Sequence, residues 1–81
     1  MISYDVFWET LKHKEVSQYR LIKNHGISAS VFTRMRRNDY LGLRKIEDLC
    51  RVLNCEISDI VSYVPDDLDN AITTRSQHPM N

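Results

Sequence analysis

A pair of short helices joined by one glycine turn constrains the fold of this chain more than any other sequence feature. Ser17 is a good N-cap, and the helical pattern after it stops at Gly26, which suits a left-handed C-terminal turn. Ser28 then caps a second helical pattern that runs to Arg37. Only about three or four residues connect the two patterns. Two helices this short and this closely joined predict a helix-turn-helix unit.

Three further short helices are predicted outside this unit. One covers residues 3–14, capped by Ser3 or Asp5, and another covers residues 43–53. Ser58 caps the last one, and Pro65 is its stop signal. With no strand-like alternation and only 81 residues, the expected fold class is all-α, a compact five-helix bundle over residues 1–64 with a polar, mobile tail over residues 65–81. The apolar positions predict a core made of Phe7, Leu11, Val16, Leu21, Phe32, Met35, Ile46, Leu49, Leu53, Ile60 and Val61.

Basic residues are concentrated in the middle of the sequence, although the whole chain is neutral. There are 11 basic and 11 acidic residues in total, yet the segment from Ser17 to Lys45 holds seven basic residues and one acidic residue. Such a segment gives the molecule a directional field, which favours an anionic partner such as nucleic acid. The alternative is a chance fluctuation on a solvated surface.

The helix that begins at Ser28 has two different faces. At about 100° per residue, Val31, Phe32 and Met35 point to one side and form a core face. The opposite side carries small and hydrogen-bonding groups at its start and a guanidinium further along, which suits entry into the DNA major groove and contact with base edges. An ordinary solvated helix face would also be polar, but it usually prefers better helix formers. The predicted base-facing residues are Ser28, Ala29, Ser30, Thr33 and Arg34.

Other polar side chains near this helix are candidates for the DNA backbone. Gln18 directly follows the Ser17 cap, where its amide and the free backbone N–H groups can reach a phosphate. Contacts of this kind position a protein on DNA without reading its sequence. The predicted phosphate-facing residues are Gln18, Lys23, Arg36, Arg37, Asn38 and Arg44.

Two stretches resemble a known family. Residues 17–36, SQYRLIKNHGISASVFTRMR, resemble the helix-turn-helix of the phage-repressor/Cro-type regulators, the XRE family. Residues 43–61, LRKIEDLCRVLNCEISDIV, resemble the family's fourth and fifth helices. The resemblance as a whole covers residues 4–64. It implies a five-helix bundle that binds double-stranded DNA sequence-specifically as a transcriptional regulator. It also implies a homodimer on half-sites one helical turn apart, for which residues 57–68 are the expected pairing surface.

The resemblance also assigns roles by position. Gln18 matches a phosphate-contacting glutamine, Gly26 the turn glycine, and Phe32 a buried aliphatic residue. Ser28, Ala29, Ser30 and Thr33 match base-facing positions, and Arg34 matches a position that reads bases or phosphate. The chain departs from the family's usual residue types at Glu15, Arg20, Ile22, Arg36 and Asn38.

Other function classes have little support in the sequence. No Gly-rich phosphate loop, activated nucleophile or functional carboxylate pair is visible, so neither enzyme activity nor a cofactor is expected. Cys50 lies on the apolar stripe of the fourth helix and Cys55 where the family has an apolar residue, so both are expected to be buried, reduced thiols. A zinc site would need two more ligands, and a redox sensor would need exposure and a lowered thiol pKa. Trp8 and Tyr19 are expected to pack the first two helices together rather than stack on bases.

The expected surroundings are the cytoplasm. No apolar run approaches the roughly 18 residues of a membrane helix, and no signal peptide is visible. A membrane is therefore not an expected partner. A small-molecule ligand is not expected either, because the sequence gives no sign of a ligand pocket. The function left open beside DNA binding is a protein-binding module, antitoxin-like or anchoring, that keeps the bundle without reading DNA.

Overall fold

Residues 1–65 are described by a computed structural model, and the predicted tail lies outside the described residues apart from Pro65. This part of the chain contains four α-helices: α1 (Asp5–Lys14), α2 (Gln18–His25), α3 (Ala29–Arg36) and α4 (Leu43–Leu53). A single 3-10 turn covers Ile57–Asp59, and two short strands, β1 (Ile2–Ser3) and β2 (Ser62–Tyr63), pair antiparallel. The described fold is therefore mostly helical, with a small sheet that joins its two ends.

The predicted helix-turn-helix caps are confirmed. The Ser17 side chain accepts a hydrogen bond from the Arg20 backbone N–H, and the Ser28 side chain accepts one from Ser30. Gly26 ends α2 in the left-handed conformation, at φ 70°. A Cβ at Gly26 would meet nothing within 4 Å, so it is the backbone angle that makes glycine suitable here.

The predicted cap of α1 is wrong. The helix begins at Asp5 after Tyr4, which makes no side-chain cap hydrogen bond. The Ser3 hydroxyl does accept a hydrogen bond from the Asp5 N–H at 3.2 Å, but Ser3 lies one residue before the N-cap position, which is Tyr4. Ser3 cannot be the capping residue because its backbone belongs to β1.

The five-helix count is not confirmed, and the predicted Ser58 cap is wrong. Residues Ile57–Asp59 form one 3-10 turn with Glu56 as its N-cap residue. The Glu56 backbone N–H donates to the Asp59 carboxylate at 3.0 Å in a capping box. The chain then extends, and the Val64 N–H donates to the Met1 carbonyl at 2.7 Å. Hydrogen bonds to the N-terminal segment thus replace those of a longer helix. The pairing of β1 with β2 also corrects the expected all-α fold class, since the described residues are mostly helical but include a small sheet.

The core lies between the four helices and the 3-10 turn. Nine of the predicted core residues are buried, while Val16 and Val61 are only half-buried and pack against the others. Tyr4 adds a buried aromatic ring, and its hydroxyl donates to the Asp39 carbonyl at 2.7 Å. Burial raises the pKa of Tyr4. None of the helices in the described part of the chain is long and apolar enough to span a membrane.

Candidate nucleic-acid interface

The orientation of α3 follows from its apolar side chains. Val31, Phe32 and Met35 are buried, at 4%, 0% and 1% exposure. The Phe32 ring stacks on Phe7 of α1, with ring centroids 6.0 Å apart. Because these three residues occupy one face of the helix, the opposite face must point to solvent.

All five residues predicted to face bases are exposed on this solvent side. The hydroxyls at the start of the helix lie close together, since Ser28 Oγ and Ser30 Oγ are 2.9 Å apart. One turn later the Thr33 hydroxyl donates to the Ala29 carbonyl at 3.5 Å. The surface at the N-terminal half of α3 therefore carries small groups with acceptor lone pairs. The Arg34 guanidinium is exposed on the same helix.

The start of α2 is joined to α3 by a side-chain pair. An Arg36 guanidinium N–H donates to Gln18 Oε1. The Arg36 Cζ atom also lies 4.9 Å from the centroid of the Trp8 ring, within the range of a cation–π contact. Because the Gln18 oxygen accepts from Arg36, its amide N–H₂ group remains the donor that can meet an anion.

The loop after α3 contains two more of the predicted phosphate-facing residues, Arg37 and Asn38. Asn38 has a left-handed backbone, at φ 58°, and its Oδ1 atom accepts from the Tyr4 N–H at 3.4 Å. Asn38 thus ties the loop to the start of α1. Arg37 lies 3.7 Å from the Asp39 carboxylate, but the Arg37 side chain is 70% exposed, so the ion pair leaves it accessible.

The remaining predicted cations, Lys23 and Arg44, are exposed on α2 and α4. A small cleft brings Lys45 of α4 beside Gly26 and Ser28, next to the start of α3. Lys45 belongs to the group of basic residues between Ser17 and Lys45, but its sequence position does not indicate that it lies at this turn. Its position at the turn depends on how α4 packs.

Trp8 and Tyr19, both expected to pack α1 against α2, differ in their exposure. Trp8 is half-buried, lies edge-on to its neighbour Phe7 in α1 with ring centroids 4.8 Å apart, and lies 6.5 Å from the Phe32 ring of α3. Tyr19 is 68% exposed, so the expectation that it packs α1 against α2 is wrong. No local sequence pattern indicates that Trp8 is a platform for Arg36, because the two residues are 28 positions apart.

The described part of the chain contains no candidate metal site, and its two cysteines are only half-buried. Residues 1–65 contain no group of three or more His, Cys, Asp or Glu side chains that could hold a metal ion. Cys50 and Cys55 are half-buried rather than buried, which corrects the sequence expectation. Desolvation by burial raises the pKa of both thiols.

Comparisons with known proteins agree with this geometry. A family model described as the Cro/C1-type helix-turn-helix DNA-binding domain matches residues 6–66. The chain is similar to the crystal structure of the transcriptional regulator VanUg, with a TM-score of 0.72 and 28% sequence identity. This similarity covers 80% of the chain and 87% of VanUg. A search of the curated proteins found no match.

Proposed function

Since the chain belongs to the Cro/C1-type helix-turn-helix DNA-binding domain family, we propose that it binds double-stranded DNA sequence-specifically and regulates transcription. The observation that carries the proposal is the exposed face of α3, which holds small polar groups followed by a guanidinium. The recognition segment, residues 28–37, enters the major groove in this proposal, and base edges meet Ser28, Ala29, Ser30, Thr33 and Arg34.

Phosphates on either side of the groove meet the second set of residues: Gln18, Lys23, Arg36, Arg37, Asn38 and Arg44. Gln18 and Arg36 act as a pair at one phosphate, because the guanidinium already donates to the amide oxygen. Arg37 holds a phosphate from the loop, where its exposed side chain can exchange the Asp39 carboxylate for a phosphate. These contacts set the register of the helix in the groove.

The experiment that tests this function selects bound duplexes from a random pool with purified protein at about 100 mM salt. We expect one enriched sequence, and a Thr33→Ala/Arg34→Ala double variant should lose that enrichment. On the selected duplex, Arg34→Ala should relax the preference at one base position by roughly 1–3 kcal/mol. Arg37→Ala should weaken all duplexes alike and reduce the salt slope by about one. Equal binding of random and selected duplexes by the parent protein would refute sequence-specific reading.

We also propose that the protein binds its site as a homodimer. Tyr40 and Leu43 are 81% and 79% exposed, and they line an apolar cleft of about 190 Å³ together with half-buried Val61. Exposed apolar surface of this kind marks an interaction site. Of the pairing surface expected from the sequence, residues 57–68, only Val61 lines this cleft, and residues 66–68 lie outside the described residues. A second copy is the partner that fits this function, because a two-fold axis places two recognition helices on paired half-sites.

Sedimentation of the protein with and without its selected duplex measures this assembly. We expect two copies per duplex and an inverted repeat in the selected sequence. Leu43→Asp should leave the fold intact, since Leu43 is exposed, but should reduce the complex to one copy. One copy per duplex for the parent protein would contradict the dimer.

The same apolar surface is the observation that favours the second candidate function, a protein-binding module. That function predicts no retention of any duplex even at low salt. It therefore gives a result opposite to that of DNA binding in the selection experiment, and the exposed Tyr40 and Leu43 would then bind a different protein.

A further inference from the structure

The two cysteines lie at the two ends of one hydrogen-bonded turn. Helix α4 ends at Leu53, and its C-cap residue Asn54 has the left-handed conformation with φ 53°. The backbone N–H groups of Asn54 and Cys55 both donate to the Cys50 carbonyl, the second at 3.1 Å. The bond from Cys55 to Cys50 is the six-residue closure of a Schellman motif, in which the residues at these two positions usually make an apolar contact. In this chain the motif brings two thiols together instead.

The two thiols are neighbours and are both reachable. The closure of the turn places their side chains next to each other, as the apolar residues at these two positions usually are. Both residues are half-buried. Cys55 lines an open polar cleft of about 510 Å³ beside Thr10 and His13, and Cys50 lines an apolar cleft of about 550 Å³ beside Ile57. A small reagent can therefore approach the pair from two sides.

We propose that Cys50 and Cys55 are a modification site, which a hydroperoxide converts into an intramolecular disulfide. The Cys50 thiolate attacks a peroxide oxygen and breaks the O–O bond, giving a sulfenic acid and, with hydrogen peroxide, one water. The Cys55 sulfur then attacks the sulfenic sulfur and releases a second water. Overall, two thiols and one hydrogen peroxide give one disulfide and two waters.

The order of attack follows from the effect of each residue on the pKa of the other. Burial raises the pKa of Cys50 and the neighbouring Cys55 thiol lowers it in part, whereas burial and Cys50 both raise the pKa of Cys55. The Cys50 thiol therefore ionises with the help of its partner. The charged groups around the pair act in both directions: Glu56 raises the pKa of Cys50, Asp59 raises both, and Lys14 lowers that of Cys55. Because both pKa values stay raised, the reaction is slow at neutral pH and faster in mild alkali.

The site is independent of the DNA-binding function proposed above, so its test needs no DNA. The reduced protein is treated with hydrogen peroxide, and samples are alkylated under denaturing conditions and weighed intact. We expect both thiols to disappear together, with a mass loss of about 2 Da and no intermolecular product. Between about pH 7 and pH 8 the rate should rise about tenfold, as the thiolate fraction does. Disulfide-linked dimers, stable sulfinic acid as the main product, or no reaction would each overturn the proposal.

Two variants separate the roles of the thiols. In Cys55→Ser the sulfenic acid on Cys50 lacks its partner and should accumulate, where dimedone traps it. In Cys50→Ser the remaining thiol should be labelled more slowly. Equal labelling of the two variants would overturn the order of attack. The oxidised parent protein should keep a cooperative thermal melt, because the turn already holds the two residues together. This measurement needs no variant, and loss of the melt on oxidation would refute the geometric argument.

Discussion

The pair formed by Gln18 and Arg36 gives the sharpest prediction for DNA binding. Arg36 makes two contacts that hold it in place, a hydrogen bond to Gln18 Oε1 and the stack on Trp8 at 4.9 Å. An exposed cation–π contact contributes about 0.5–1 kcal/mol, and a typical hydrogen bond about 1 kcal/mol. If both side chains serve one phosphate, the two residues should be coupled in binding by about 1 kcal/mol, which is about fivefold in Kd.

A double-mutant cycle measured by fluorescence anisotropy on the selected duplex tests this coupling. Arg36→Ala should raise Kd about tenfold and lower the salt slope by about 0.9, since one phosphate contact is lost. Gln18→Ala should raise Kd about fivefold. The double variant should bind about as weakly as Arg36→Ala alone, because the amide without its guanidinium no longer keeps its orientation.

Two controls make the cycle specific. Arg36→Lys keeps the charge but lacks the planar fork, so it should preserve the salt slope and still lose the coupling to Gln18. Lys12 lies in the last turn of α1, pairs with Glu9 at 3.9 Å, and belongs to neither set of proposed contact residues. Lys12→Ala should therefore leave both Kd and slope unchanged. Additive effects, with the double variant about fiftyfold weaker than the parent, would refute the paired arrangement.

Three further predictions concern stability. Phe32→Ala should lower the free energy of unfolding by about 3–5 kcal/mol in urea titration, because the ring is fully buried. The matched exposed change Tyr19→Ala should stay within about 0.5 kcal/mol, and similar losses for both would contradict the core assignment. Glu15→Gly should raise the thermal midpoint, because Glu15 has a left-handed backbone with φ 55°. The left-handed conformation costs an L-residue about 1–2 kcal/mol. Glycine avoids this cost but loses about 0.5–1 kcal/mol more in conformational entropy on folding. A lower midpoint would show that this strain is absent. The raised pKa of Tyr4 means that its stabilising effect is complete below the unfolded pKa of about 10 and is lost as pH rises through the folded value. The parent protein should therefore lose stability above about pH 10 more steeply than Tyr4→Phe, and equal slopes would argue against this cause.

Local hydrogen bonds explain why the helix-turn-helix unit is visible in the sequence. The caps at Ser17 and Ser28 and the turn at Gly26 involve partners only two to six residues away. Such short-range interactions depend on residue type and spacing, so a pattern of residues is enough to predict them. The two faces of α3 follow from the same periodicity, with Phe32 inside and Arg34 outside.

The end of the described chain shows where this reasoning fails. Ile57 and Ile60 have the spacing of a helical stripe, but the chain leaves the 3-10 turn and pairs with Ile2–Ser3. Nothing within a few residues signals that pairing, since the partners lie about 60 positions apart. Tyr19 is a similar case, because its exposure depends on how α1 and α2 meet.

The sequence by itself determined the helices of the motif, their caps, the buried face of α3 and the family to which the chain belongs. Only the tertiary structure decided which distant side chains meet: Arg36 with Gln18 and Trp8, and Asn38 with the start of α1. The physical reason is range. Caps and periodicity act over one or two turns, whereas these contacts arise only when the whole core packs and sets the angles between helices.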